Sequence, residues 1–135
     1  MAVIDALGDD AQRARILPAL MNLDCFISFG LTEASGGSNA SDPGTNARKV
    51  PGGYVLNGVK RWIGQGTYAD YIVVWAKNVD DGNRVQGFVV EKGSPGLKTE
   101  KMMNKMACRM TQNADVYMKD VFVSDYNRLT YATDF

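Results

Sequence analysis

Residues 71–76 read YIVVWA, an unbroken run of aromatic and β-branched side chains. A run this short, with turn-forming residues on both sides, fits a buried strand. The same grammar recurs along most of the chain. Cys25 is followed by an apolar stretch holding Phe26, Ile27, Phe29 and Leu31, and GGYVLNGVKRWIG places Asn57 and Gly58 between two apolar-containing arms. Residues 85–90 return after the turn NVDDGNR, Ser94, Pro95 and Gly96 form another turn, and DVYMKDVFV (residues 115–123) supplies a late strand. Asn-Gly tolerates positive φ at both positions, so a hairpin is expected there, and the late strand is expected to bend at Lys119 and Asp120. Short strands punctuated by Gly, Pro, Asp and Asn predict a mainly β fold, an antiparallel β-barrel or sandwich.

The first two dozen residues differ. Residues 1–7 are apolar and helical in type, Gly8 stops them, and Asp9 or Asp10 can cap a new helix over residues 11–17. Pro18 restricts Leu17 and is expected to open a further turn at residues 19–21. The predicted organisation is a short N-terminal helical segment (residues 1–24) followed by one β domain (residues 25–135). A chain that starts inside a helical stretch and stops without a packed element reads as a middle domain from something longer.

Composition narrows the chemistry. Lys and Arg number 15, Asp and Glu number 15, and the formal net charge is zero. That argues against nucleic acid or an anionic membrane as the main partner, because both require a basic surface. Histidine is absent, which removes the commonest metal ligand and general base. The two cysteines, Cys25 and Cys108, make neither a zinc site nor a disulfide framework, so no metal is expected. No apolar run approaches membrane-spanning length.

Three stretches could carry function. In GLTEASGGSN (residues 30–39) the glycines would let the backbone approach a phosphate or a flat ring, and the Thr and Ser hydroxyls could meet its polar edge. An ordinary strand-ending turn uses the same residues. In KRWIGQG (residues 60–66) Trp62 could wall a planar ligand or simply pack over a barrel end, and Gly64 and Gly66 could be turn residues or space kept open. In NKMACRMTQN (residues 104–113) Arg109 could meet an anion or lie solvated at the surface, and Met102, Met103, Met106 and Met110 read as gap-filling apolar side chains.

Taken in order, GLTEASGGSN, GYVLNGVKRWIGQGTYADYIVVWA, GFVVEKGSPGL and NKMACRMTQNADVYMKDVFV resemble the middle β domain of the acyl-CoA dehydrogenase and acyl-CoA oxidase superfamily. The resemblance is greatest to glutaryl-CoA dehydrogenase-like members and plant short-chain acyl-CoA oxidases, and it covers nearly the whole chain. GDDAQRARILPAL is similar to the loop and helix that lead into that domain.

The resemblance implies that the domain covers one face of FAD. Phe29, Leu31 and Thr32 would hold the flavin's polar edge, and Gly37 and Ser38 would lie near the pyrophosphate and the acyl-CoA, with Ser38 also on the substrate. Trp62, Ile63 and Gly64 would flank the isoalloxazine. Two departures from the family pattern stand out: Ala34 where proline is common, and Asn39 where aspartate is common. Gly64 stands where many dehydrogenases carry a hydroxyl residue and oxidases tend to have glycine. That places a flavin-dependent acyl-CoA oxidase first and a dehydrogenase passing electrons to an electron-transfer flavoprotein second. A non-catalytic truncated β domain is a third reading. The family's base is a glutamate of a C-terminal helical domain that this sequence does not include, so no catalytic residue is assigned. The resemblance further implies a homotetrameric full-length enzyme, peroxisomal if an oxidase and mitochondrial if a dehydrogenase. The last four residues, ATDF, are no Ser-Lys-Leu address.

Overall fold

The computed structural model describes residues 1–134; Phe135, the last residue of the predicted β domain, lies outside them. Two helices, α1 (Ala2–Leu7) and α2 (Asp10–Met21), precede seven strands: β1 (Ile27–Gly30), β2 (Asn46–Val50), β3 (Gly53–Ile63), β4 (Tyr71–Asn78), β5 (Arg84–Glu91), β6 (Leu97–Lys101) and β7 (Ala114–Ser124). A 3-10 turn at Asp125–Asn127 follows. The result is mainly β, as expected: a curled half-barrel sheet with a short helical N-terminus.

β4 explains the apolar run. β5 pairs antiparallel along one edge of β4. The other edge is shared end to end, with β1 beside residues 71–74 and β2 beside residues 77–78, both parallel. The remaining pairs are antiparallel (β2 with β3, β3 with β7, β7 with β6), so the sheet is mixed rather than purely antiparallel. Ile72, Val74 and Ala76 enter one core with Leu56, Phe88, Val90, Val116 and Met118. Val73 and Trp75 enter a second core with Ile4, Ile16, Val85, Val89 and Leu129. A strand buried on both faces needs apolar side chains at every position, not at alternate ones.

The helical segment differs from expectation at one point. Asp9 caps α2, accepting from Gln12 N while the Gln12 side chain accepts from Asp9 N, a reciprocal capping box. The helix then runs through Pro18 to Met21 without opening a separate turn. Pro18 lies in the last turn, where little helix remains beyond it.

One turn expectation is corrected. Asn57 and Gly58 do not turn the chain; β3 passes straight through them. Across the sheet, Leu56 pairs with Val121 and Gly58 with Met118, so Asn57 faces both Lys119 and Asp120 in a β-bulge. Asp120 takes φ 53° there, and Asn57 clasps it by two bonds, Nδ2 to Asp120 Oδ1 (3.1 Å) and Asp120 N to Asn57 Oδ1 (2.9 Å). β7 is therefore one strand, with a bulge at Lys119 and Asp120 where a bend was expected. The hairpin lies upstream, where Val50 pairs with Gly53 across Pro51 and Gly52, the latter at φ 79°.

Candidate functional site

The end of β1 and the end of β3 meet, and a set of hydrogen bonds locks them together. Ser28, buried on β1, donates its hydroxyl to the Gly64 carbonyl at 2.8 Å. Arg61 N donates to the Thr32 carbonyl at 2.7 Å. Lys60 Nζ donates to the Leu31 carbonyl at 3.1 Å. Asn113, from the loop before β7, donates Nδ2 to the Trp62 carbonyl at 3.0 Å. Leu31 and Thr32 are thus brought beside residues 61–64, although some thirty residues separate the two groups along the chain.

The expected site residues take distinct positions. Trp62 sits at φ 64° and is 52% exposed, with the Arg61 guanidinium 5.7 Å from its ring centroid. Ile63 is buried and belongs to the first core, so it supports the site from beneath. A Cβ built on Gly64 would meet nothing within 4 Å, so the position is open. Gly37 lies over Thr32, its hypothetical Cβ 3.5 Å from Thr32 Cγ2. Ser38 is exposed in the same loop. Phe29 projects from the face of β1 opposite Ser28, where its ring meets Trp75 edge-on at 6.1 Å. Arg109 is exposed and spends its Nε on the Lys105 carbonyl. Both cysteines are free thiols.

A depression of about 240 Å³ lies under the glycine-rich loop, lined by Leu31, Glu33, Gly36, Gly37, Asn39 and neighbouring residues. Glu33, which lines it, belongs to a charged pair that the residue types alone did not single out. Lys60 is fully buried and donates Nζ to Glu33 Oε1 at 2.8 Å. The Glu33 side chain is 8% exposed. Its carboxylate also accepts from Thr45 N (2.9 Å), Thr45 Oγ1 (2.6 Å) and Gly44 N (2.7 Å). Burial pushes this carboxyl up, but the bonds from Lys60, Thr45 and Gly44 outweigh it and hold it at about 2. Burial pulls the Lys60 ammonium below its ordinary value, and Glu33 opposes that pull. The sequence carried a signal: Lys60 occupies the inward phase of a strand whose other inward residues include Tyr54 and Leu56.

This chain matches the acyl-CoA dehydrogenase middle domain over residues 28–121. It belongs to the acyl-CoA dehydrogenase family. Isobutyryl-CoA dehydrogenase, a mitochondrial enzyme of Bos taurus, is 36% identical over 128 residues, which is 94% of this chain and 31% of the relative. A glutaryl-CoA dehydrogenase from Mycobacterium smegmatis, solved with FADH2, superposes with a TM-score of 0.92 at 31% identity, covering 98% of this chain and 33% of that one. A prolyl acyl carrier protein oxidase superposes with a TM-score of 0.89 at 29% identity, covering 96% of this chain and 35% of that one. The chain therefore spans about a third of the length of these relatives. Among the described residues no helix is long and apolar enough to cross a membrane.

The site fits a flat, polar-edged cofactor of the flavin type. Trp62 is exposed, and two residues on no side chain fills the Cβ position of Gly64. Gly36, whose hypothetical Cβ also meets nothing within 4 Å, keeps the loop backbone approachable.

Proposed function

We propose that this chain is the flavin-covering middle domain of an FAD-dependent acyl-CoA dehydrogenase whose helical domains are supplied by other parts of a longer protein. The observation that carries the reading is the cross-tied pair of segments, Leu31 and Thr32 against residues 61–64, the latter carrying an exposed Trp62 and, two residues on, an unfilled Cβ position at Gly64. FAD, when bound, would accept the hydride lost from the β-carbon of an acyl-CoA thioester. The chain's own part is to hold and shield. Phe29, Leu31 and Thr32 would bound the polar edge, Trp62, Ile63 and Gly64 the ring, and Gly37 and Ser38 the pyrophosphate and the thioester ligand. Residues 1–24 and 25–135 would be the tail of one domain and the body of the next. The full-length enzyme would be a homotetramer.

The dehydrogenase reading ranks ahead of the oxidase reading favoured by sequence alone. Two of the relatives above are dehydrogenases by name, and the bovine one is mitochondrial, which supports a mitochondrial rather than a peroxisomal setting. An electron-transfer flavoprotein is then the proposed acceptor. The oxidase stands as the second reading because of Gly64: the missing side chain leaves room beside the reactive edge, and one similar structure is an oxidase. In the full-length enzyme, Gly64→Thr should lower peroxide formation if oxygen is the acceptor, and unchanged oxygen reactivity would remove that alternative.

The test of the main reading is a titration of FAD into the isotope-labelled chain, followed by amide and indole NMR shifts. Shifts gathered on Thr32, Gly37, Ser38 and Trp62 are expected. No shifts there with FAD in large excess would overturn the flavin surface.

A further inference from the structure

Glu33 and Lys60 hold the two halves of the site through one buried node. Lys60 Nζ bonds the Leu31 carbonyl and the Glu33 carboxylate from beneath. The next residue along β3, Arg61, bonds the Thr32 carbonyl through its main chain. Beyond it stands Trp62. On the far side, Glu33 gathers Gly44 N, Thr45 N and Thr45 Oγ1, so the two ends of the loop 34–43 are pinned to the same carboxylate. Moving the ammonium would shift Leu31 and Thr32, the loop that carries Gly37 and Ser38, and the start of the Trp62 segment together.

A buried ion pair is an inefficient way to stabilise a core. Desolvating both charges offsets most of their attraction, and apolar side chains of similar volume often serve as well or better. What such a pair supplies is geometry, because a hydrogen-bonded ammonium and carboxylate admit few arrangements.

We propose that Lys60 is a positioning residue for the cofactor surface: through Glu33 and the Leu31 carbonyl it fixes the height of Thr32 and of the glycine-serine loop against the Trp62 segment, without itself touching the ligand. The proposal rests on the flavin reading above for the identity of the ligand, but its geometric half does not.

The test compares the wild-type chain with Lys60→Met, Glu33→Gln and the double variant, which removes both charges at nearly constant volume. Two readouts are taken on each: ligand-free amide exchange at Arg61, Gly44 and Thr45, referenced to Val74 in β4, and FAD affinity by the NMR titration. The double variant should keep the thermal midpoint of the wild type within a few degrees while its Arg61 and Thr45 amides exchange about tenfold faster or more and FAD binds about tenfold more weakly. Wild-type exchange in the double variant overturns the proposal. So does faster exchange with unaltered FAD affinity, which would leave the node irrelevant to the cofactor. A double variant that does not fold also overturns it, because the pair would then be a stability element; Glu33→Gln, which keeps one acceptor oxygen for Thr45 and leaves Lys60 in place, checks that result independently. If the wild-type chain takes up no FAD, the flavin reading fails, and the exchange data alone decide whether Lys60 positions Thr32.

Discussion

Ser28 donates its hydroxyl to the Gly64 carbonyl at 2.8 Å, and this bond joins the middle of β1 to the segment following β3. Ser28 is 4% exposed, so its hydroxyl has little water to turn to. Ser28→Ala should destabilise the chain by about 1 kcal/mol, the net worth of one intramolecular hydrogen bond. Urea unfolding followed by tryptophan fluorescence reads this directly. Trp62 lies two residues from Gly64, so the native fluorescence should also move toward a more solvated indole. A variant with wild-type stability would show that the bond carries no weight.

The glycines divide into two groups with opposite expectations. Gly64 has open space at its Cβ position, so Gly64→Ala should change stability by no more than about 0.5 kcal/mol, as for an ordinary surface change. Gly58 sits at φ 149° with its hypothetical Cβ 2.7 Å from Thr45 Cα, and Gly96 sits at φ 84° with its own 2.0 Å from the Lys119 carbonyl. Alanine at either position meets backbone that cannot yield locally, at a cost of about 1–3 kcal/mol. Thermal midpoints of the three variants, measured side by side, check the contrast.

The fold was legible where the physics is local and apolar. YIVVWA announced β4 because burial on both faces demands it, and Asp9, one of two candidate caps, announced the start of α2. β2 and β6 were not read, because NARKV and LKTEK are largely charged and polar, and their strand character comes from pairing with β3 and β7. Asn57 and Gly58 misled because their residue types serve the strand instead: Asn57 clasps Asp120, which holds the left-handed φ of the bulge on β7, and Gly58 leaves room for Thr45. In the site, the glycine-serine loop and Trp62 stood out by residue type. The pair of Glu33 and Lys60 did not, since two charges 27 residues apart acquire meaning only when both are buried in contact.

Gln12 should behave as a structural hinge pin. It is 4% exposed, and its Nε2 donates to the carbonyls of Tyr126 (3.0 Å) and Arg128 (2.6 Å) while its Oε1 caps Asp9 N. One side chain thus ties α2 to the chain after β7. Gln12→Ala leaves two carbonyls without their donor and breaks the capping box, so a loss of about 2–3 kcal/mol is expected. Gln12→Glu keeps the cap acceptor but removes both donors, and should recover only part of the loss. Denaturant midpoints for the two variants separate the cap from the tether.

Acid should weaken the fold through Glu33. Its carboxyl is held at about 2 in the folded chain against an ordinary value of 4.5. Between those values the unfolded chain binds the proton and the folded chain does not, so stability falls as pH drops across that window. The contribution is fully present above about 4.5 and is lost as pH falls through about 2. Glu33→Gln cannot titrate, so the slope of stability against pH in that window should be shallower than in the wild type. The difference should vanish near neutrality, where the variant instead shows a constant offset from the loss of its charged partner to Lys60. Unfolding free energies at pH 2.5, 3.5, 4.5 and 7 for both proteins test the sign: a wild-type slope no steeper than the variant's would mean that Glu33 is not held in its charged form by Lys60, Thr45 and Gly44.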